Sequence, residues 1–229
     1  MDFRGRHVVV TGGTGALGSA VVESLLAAGA TCHVPHRSAH NPGHADQRVR
    51  FHPGIDLTDE GAVDLFYQTL SPLWASIHVA GGFSAAAFSD TTSQDLAHLM
   101  DMNFTSCFLS CRAAVKAIMK GGGGGRIVNV AARPALEWRS GAGMTVYTAS
   151  KAAVAALTVA LAEEVASHGI LVNAVAPSIL DTPDNRKAMP KAKHETWPKV
   201  GEVANTILFL ASPDNKVTRG AIVPVYGRA

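Results

Sequence analysis

The sequence predicts the α/β class, a single doubly wound domain built around a parallel sheet of about seven strands. Short, continuously apolar runs such as His7-Val8-Val9-Val10-Thr11 lack the alternation of a half-solvated strand and fit strands buried on both faces. Longer runs with helical spacing separate these strands along the whole chain, and strands that alternate with helices mean a parallel sheet covered on both sides. The 229 residues are 47% apolar and 17% charged, which is enough to bury one large core.

In chain order, the first strand (7–11) leads through Gly12-Gly13-Thr14-Gly15-Ala16-Leu17-Gly18 into a helix predicted over Ser19–Ala28 and stopped by Gly29. Strands are expected at Thr31–Pro35, Val49–His52, Ser76–Val79, Arg126–Val130, Ile170–Ala176 and Ala221–Val225. Between the second and third, residues 39–47 contain Pro42 and Gly43 and read as a loop. Thr58 is expected to cap a helix that runs to Leu70. A single long helix is predicted over Leu96–Lys120, stopped by five glycines (Gly121–Gly125) that read as a flexible turn. A further long helix opens near Tyr147 and ends at Gly169, and Glu202–Ala211 is the last. The polar, proline-bearing stretch at about 178–198 reads as a lid over the site.

Composition narrows the function. A net charge of +2 gives no electrostatic footprint for nucleic acid. No basic region followed by an apolar segment is seen at the N-terminus, and no uninterrupted apolar run approaches the ~20 residues of a membrane span. Cys32, Cys107 and Cys111 read as buried, reduced thiols, so a cytoplasmic setting is expected. Cys107 and Cys111 lie four apart, but no histidine stands at a matching sequence spacing. His40 and His44 are denied a shared helical face by the intervening Pro-Gly. No metal site is expected.

The chemistry-bearing residues fall just past strands. Strand, glycine-rich turn and helix is the Rossmann context for a dinucleotide, whose pyrophosphate sits at the helix N-terminus. An acidic residue about 20 residues further on would bind a ribose 2′-hydroxyl. The sequence offers His36-Arg37-Ser38 instead, and the Arg37 guanidinium matches a 2′-phosphate, which favours NADPH over NADH. Asp56 is placed to accept from an adenine amino group. Ala80-Gly81-Gly82 lets a flat ligand approach the backbone. Asn103 in mid-helix needs a polar reason to be there. Tyr147 and Lys151 share a helical face. A cation beside the phenol is expected to lower its pKa and make it a proton donor.

These motifs together resemble the short-chain dehydrogenase/reductase family over nearly the whole chain. Thr11 to Gly18 matches its glycine signature, with Ala16 at the middle glycine, and Tyr147 and Lys151 match its Tyr-x-x-x-Lys pair. Asn103, His78-Val79-Ala80-Gly81, Val172 to Ser178 and Gly220 to Gly227 match further family stretches. The resemblance implies Tyr147, Lys151 and Asn103 as the catalytic group, with Asn103 holding a water that links Lys151 to solvent. It also implies a cofactor-binding set of Gly12, Thr14, Ala16, Leu17, Gly18, Arg37, Ser38, Asp56, Leu57, Ala80, Gly81, Gly82, Tyr147, Lys151, Pro177, Ile179 and Thr182, the last on the carboxamide. It implies a homodimer or homotetramer acting on a small molecule.

One departure stands out. Where the family ends its fifth strand in Ser-Ser, with the second serine polarising the substrate oxygen, this chain has Ala131-Ala132. The dihydropteridine reductase branch also lacks that serine, and Val79 to Phe83 and Leu180 to Pro190 resemble it. The reading is therefore an NAD(P)H-dependent reductase of a conjugated carbonyl or imine. The alternatives are a 3-oxoacyl or general ketone reductase in which Ser140 or Thr145 supplies the missing hydroxyl, and a catalytically idle NADPH-binding sensor or scaffold.

Overall fold

Val8 and Val10 of the first strand pack into one hydrophobic cluster and Val9 into another, and all three are fully buried. That two-sided burial is why the run does not alternate. The computed structural model describes residues 1–40, 43–70 and 72–228, so Pro42 of the expected 39–47 loop lies outside the described residues. Strands β1 (His7–Thr11), β2 (Thr31–His36), β3 (Val49–Pro53), β4 (Ala75–His78), β5 (Gly125–Val130), β6 (Ile170–Pro177) and β7 (Ile222–Val225) form one sheet in the order β3-β2-β1-β4-β5-β6-β7. Every pairing is parallel. The order reverses between β1 and β4, and that is where an open α/β sheet leaves its crevice.

Helices α1 (Ala16–Ala27) and α7 (Val200–Ala211) cover one face. The other face is covered by α2 (Glu60–Gln68), α4 (Ser106–Gly121) and α5 (Thr145–Glu164). Two shorter helices, α3 (Ser93–Met100) and α6 (Pro183–Ala188), lie near the crevice end. Along α1, Leu17, Val21, Val22, Leu25 and Leu26 recur at three- and four-residue spacing and are buried. α5 is long and apolar enough, by length and composition, to cross a membrane. In this fold it lies along the sheet with Ser150, Lys151, Val154, Ala155, Thr158 and Ala162 facing inward.

Several boundaries differ from the sequence reading for identifiable reasons. α1 begins at Ala16, three residues early, directly on the glycine turn. The cap of α2 is Asp59, whose carboxylate accepts the Ala62 N–H at 3.1 Å, while Thr58 donates to Asp56 instead. The expected Leu96–Lys120 helix is two helices joined by a π-helical turn at Asp101–Thr105. The five glycines are not a uniform flexible turn. Gly122 closes α4 in the left-handed region at φ 73°, and Gly125 is already part of β5. A Cβ on Gly125 would meet the Trp74 carbonyl oxygen at 2.7 Å. The 178–198 stretch is more ordered than its composition suggests. Thr182 caps α6, Arg186 grips Asp181 through two nitrogens at 2.6 and 2.8 Å, and Asn185 Nδ2 donates to the Leu180 carbonyl.

Candidate active site

At the carboxyl ends of β1, β4, β5 and β6 the sheet opens into a cleft of about 1140 Å³. One end of it is backbone. A Cβ on Gly18 would lie 2.0 Å from the Gly12 carbonyl oxygen, and one on Gly12, at φ 68°, would lie 2.6 Å from the Ala80 nitrogen. The turn, α1 and the chain leaving β4 are thus in contact through atoms that only glycine leaves bare. No side chain caps the N-terminus of α1, since its cap residue is Gly15. The first N–H groups and the positive end of the helix dipole therefore face the cleft, ready for an anion. Thr14, Gly15, Ala16 and Leu17 complete this wall.

Arg37 and Asp56 stand at the same end of the cleft. Arg37 Nε is 3.6 Å from Asp56 Oδ2, and its side chain is 76% exposed, open to a ligand from solvent. Asp56 Oδ1 accepts from both the Thr58 N–H and the Thr58 hydroxyl, and these bonds, with Arg37, hold its carboxyl below the usual range. One carboxylate oxygen is therefore spent on the turn. Leu57, with Pro35, His36, Ile55 and Thr58, lines this end as well.

At the other end Tyr147 and Lys151 both line the cleft, as the four-residue spacing requires. Lys151 is buried, its Nζ donates to the Val130 carbonyl at 2.8 Å, and burial lowers its pKa to about 8. The expected acidic phenol is not found. Burial pushes Tyr147 up to about 12, and no contribution from Lys151 offsets it. The ammonium is directed at a main-chain oxygen rather than at the phenol. Phe83 meets the Tyr147 ring edge-on, with centroids 5.0 Å apart, and is itself 64% exposed at the mouth.

Asn103 explains the π-helical turn. Its Oδ1 accepts the Gly82 N–H at 2.9 Å, and its Nδ2 donates to the Gly82 carbonyl at 3.1 Å and to Ser150 Oγ at 3.0 Å. The inserted residue turns this amide out of the helical register and toward the sheet. The Asn103 side chain thus clamps the β4 exit to the Tyr147 helix. Gly81 fits beside that clamp, because a Cβ there would lie 2.6 Å from Asn103 Oδ1 and 3.3 Å from Lys151 Nζ.

Most of the expected cofactor-binding set comes together in the cleft: Gly12, Thr14, Ala16, Leu17, Gly18, Arg37, Asp56, Leu57, Ala80, Gly81, Gly82, Tyr147, Lys151, Pro177 and Ile179. Two residues do not. Ser38 accepts the His40 N–H, and Thr182 Oγ1 is committed to the Asn185 N–H at 3.2 Å, and neither lines the cleft. Of the two hydroxyls expected to replace the missing serine, Thr145 is exposed at the start of α5 and away from the cleft wall. Ser140 is on the wall, but its single proton goes to the Glu137 carbonyl at 2.7 Å.

Sequence reasoning missed the apolar wall of the cleft beside Tyr147. Phe83, Met102, Met144 and Met189 line it together with Ala131 and Ala132, and Arg133 stands beside them, held by Glu137 at 2.7 Å and lying 4.9 Å from the Tyr226 ring. These residues come from separate loops and carry no common spacing. The Ala131-Ala132 pair, noted in the sequence, was the one signal that this wall is apolar.

Residues 6–193 match the family model for short chain dehydrogenase. Galactitol 2-dehydrogenase of Rhizobium johnstonii is 35% identical over an alignment covering 96% of this chain and 93% of that protein. The 3-oxoacyl-acyl-carrier-protein reductase MabA of Mycobacterium tuberculosis is 30% identical, covering 98% and 93%. A blue fluorescent protein from a metagenomic library, solved in complex with NADPH, is 28% identical and superposes with a TM-score of 0.87 over 99% of this chain and 98% of that one. With the glycine turn, the Tyr147–Lys151 pair and the parallel sheet in one cleft, the chain belongs to the short-chain dehydrogenase/reductase family of NAD(P)-dependent oxidoreductases.

Proposed function

We propose that the protein is an NADPH-dependent reductase of a planar, conjugated carbonyl or imine, with Tyr147 as the proton donor. One observation carries this reading. The acceptor wall holds a phenol and a buried lysine, yet presents methyl groups at Ala131 and Ala132 where a hydroxyl donor would stand. A simple ketone reduced to an alkoxide needs a donor aimed at the developing charge. A conjugated acceptor spreads that charge over its π-system and needs less of one. Phe83 and the three methionines suit a flat, polarisable ring.

The cradle fits the coenzyme. The bare backbone of Gly12 and Gly18 and the uncapped start of α1 would hold the diphosphate, and Arg37 would take the 2′-phosphate. A bound nicotinamide would supply the hydride. Lys151, buried behind Gly81, would hold the adjoining ribose. Asn103 would act through Gly82 and Ser150, as a positioning residue. The 178–198 segment would act as a lid, since Ile179, Leu180, Ala188 and Met189 already form part of the wall. The finer likeness to the dihydropteridine reductase branch rests on the sequence stretches at Val79–Phe83 and Leu180–Pro190.

A second reading, reduction of 3-oxoacyl thioesters or other ketones, is favoured by the position of Ser140 on the wall and by relatives such as MabA. It requires Ser140 to leave the Glu137 carbonyl. NADPH and NADH oxidation against a quinonoid dihydropterin, quinones, simple ketones and 3-oxoacyl thioesters separates the two. Turnover confined to simple ketones and thioesters would overturn the first reading. Assembly is the remaining expectation. Phe108 and Val159 are exposed on α4 and α5, and we place a contact of the expected homodimer or homotetramer there, to be tested by light scattering on purified protein.

A further inference from the structure

Behind the cleft, three metal-ligating side chains converge that the sequence left apart. His78 ends β4, and Cys107 and Cys111 lie one turn apart on α4. One donor atom from each lies within 4.8 Å of the other two, and all three side chains are buried. The absence of a matching sequence spacing was misleading, because the third ligand comes from a different element across the sheet–helix interface.

The hydrogen bonds around the cluster have a definite direction. Thr158 Oγ1 donates to the Val154 carbonyl, so it accepts from Asn129 Nδ2 at 2.9 Å. That leaves Asn129 Oδ1 as acceptor, 2.8 Å from His78 Nδ1 and 3.4 Å from Cys111 Sγ. On its far side His78 Nε2 meets Ser76 Oγ at 2.8 Å, and Ser76 Oγ meets Tyr67 Oη at 2.8 Å. One imidazole nitrogen points into a pair of thiols while the other is fixed by a polar chain. This is the second-shell pattern that orients a metal-ligating histidine.

We propose that His78, Cys107 and Cys111 form a binding site for a thiophilic divalent cation of the zinc type, with Asn129 Oδ1 as fourth donor. Charge and distance both favour this class. A divalent ion, two thiolates and a neutral imidazole sum to zero, so the filled site leaves no net charge in the core. Hard cations such as calcium and magnesium take oxygen ligands and are excluded by two sulfurs and a nitrogen. In a tetrahedral zinc site, sulfur and nitrogen ligands stand about 3.6 Å apart. Cys111 Sγ and His78 Nδ1 are 3.4 Å apart, so little rearrangement is needed. The Asn129 oxygen must withdraw by roughly 0.5 Å to reach the corresponding spacing.

The protons balance. Two S–H bonds are replaced by two S–metal bonds, and two protons leave to solvent. The His78 proton passes from Nδ1 to Nε2, keeping the ring neutral. Nε2 then donates to Ser76, Ser76 to Tyr67, and Tyr67 to Ser110, whose Oγ is buried without a hydrogen-bond partner. Ser106, the neighbour of Cys107, lines the cleft, so the cluster lies close behind the cleft wall.

The test uses the reduced full chain titrated with Cd²⁺, read by the ultraviolet thiolate-to-metal charge-transfer band, with Zn²⁺ as competitor. One equivalent bound per chain and displaced by Zn²⁺ is expected. The Cys107→Ala/Cys111→Ala variant should lose the band. Cys32→Ala should keep it, since Cys32 packs in the cluster on the opposite face of the sheet. X-ray absorption of the zinc-loaded wild type should show two sulfurs at about 2.3 Å with nitrogen or oxygen at about 2.0 Å, a result that needs no variant to fold. No band, a band that survives in the folded double variant, or a shell without sulfur would overturn the proposal.

Discussion

The two ends of the cleft are built from different materials. The end at the glycine turn, where we place the coenzyme, is main chain: a carbonyl at Gly12, an amide at Ala80 and the open start of α1, packed so closely that one methyl group would not fit at Gly18. The end around Tyr147, where we place the acceptor, is side chain: Phe83, three methionines and two alanine methyls brought from separate loops. Backbone recognition tolerates no change at a few positions and leaves the rest of the turn free. Side-chain recognition can be rewritten residue by residue. That contrast accounts for relatives that share a fold but act on different substrates, and for a wall in this chain that presents the methyl groups of Ala131 and Ala132.

The largest effect should come from breaking the main-chain end. Gly18→Val drives a side chain into the Gly12 carbonyl, and overpacking against backbone costs about 3 kcal/mol or more. Calorimetry should find no coenzyme affinity in that variant, and thermal melting should show a lower Tm.

Next is the buried cation between the two ends. Burial holds Lys151 at about 8, below its ordinary value of 10.5. Below pH 8 it is charged in both the folded and unfolded chain, and the fold bears the full burial cost. Between those values the unfolded chain binds the extra proton, so stability rises with pH, by about 3 kcal/mol in all. Tyr147, pushed up to about 12, acts in the opposite sense above pH 10, where the unfolded phenol ionises and the folded one does not. Urea melts should therefore show a rise from pH 8 that flattens near pH 10. Lys151→Met should abolish the rise and be more stable than wild type at neutral pH.

Smaller effects sharpen the contrast. Arg37→Ser should weaken NADPH about tenfold and leave NADH unchanged, since an exposed charged hydrogen bond is partly screened by salt. Matched KM values for the two coenzymes would check it. Ala132→Ser restores a neutral donor worth about 1 kcal/mol. It should raise kcat/KM for a simple ketone several-fold and leave a conjugated acceptor unaffected. Equal gains on both substrates would remove the proposed distinction between them.

The same contrast decides what the sequence made legible. The strands, the sheet class and the glycine turn were readable because two-sided burial and close backbone approach each leave a local pattern, as in Val8 to Gly18. Tyr147 and Lys151 were readable because they share one helix. Phe83, Met102, Met144 and Met189 were not, because their meeting is a property of the folded loops. The π-helical turn at Asn103 was hidden too, since one inserted residue hardly disturbs the apolar period on either side. His78 joined Cys107 and Cys111 for the same reason that the acceptor wall formed, through contacts between elements far apart in the chain.

The central claim is that the Tyr147 phenol gives up its proton to the acceptor beside a bound coenzyme. Single-turnover NADPH oxidation by wild type and Tyr147→Phe, on the best acceptor of the panel and with coenzyme affinity measured in parallel, addresses it most directly. The account predicts a loss of at least ~10²-fold in the hydride-transfer rate with NADPH affinity kept. An unchanged rate in the folded, coenzyme-bound variant would contradict it.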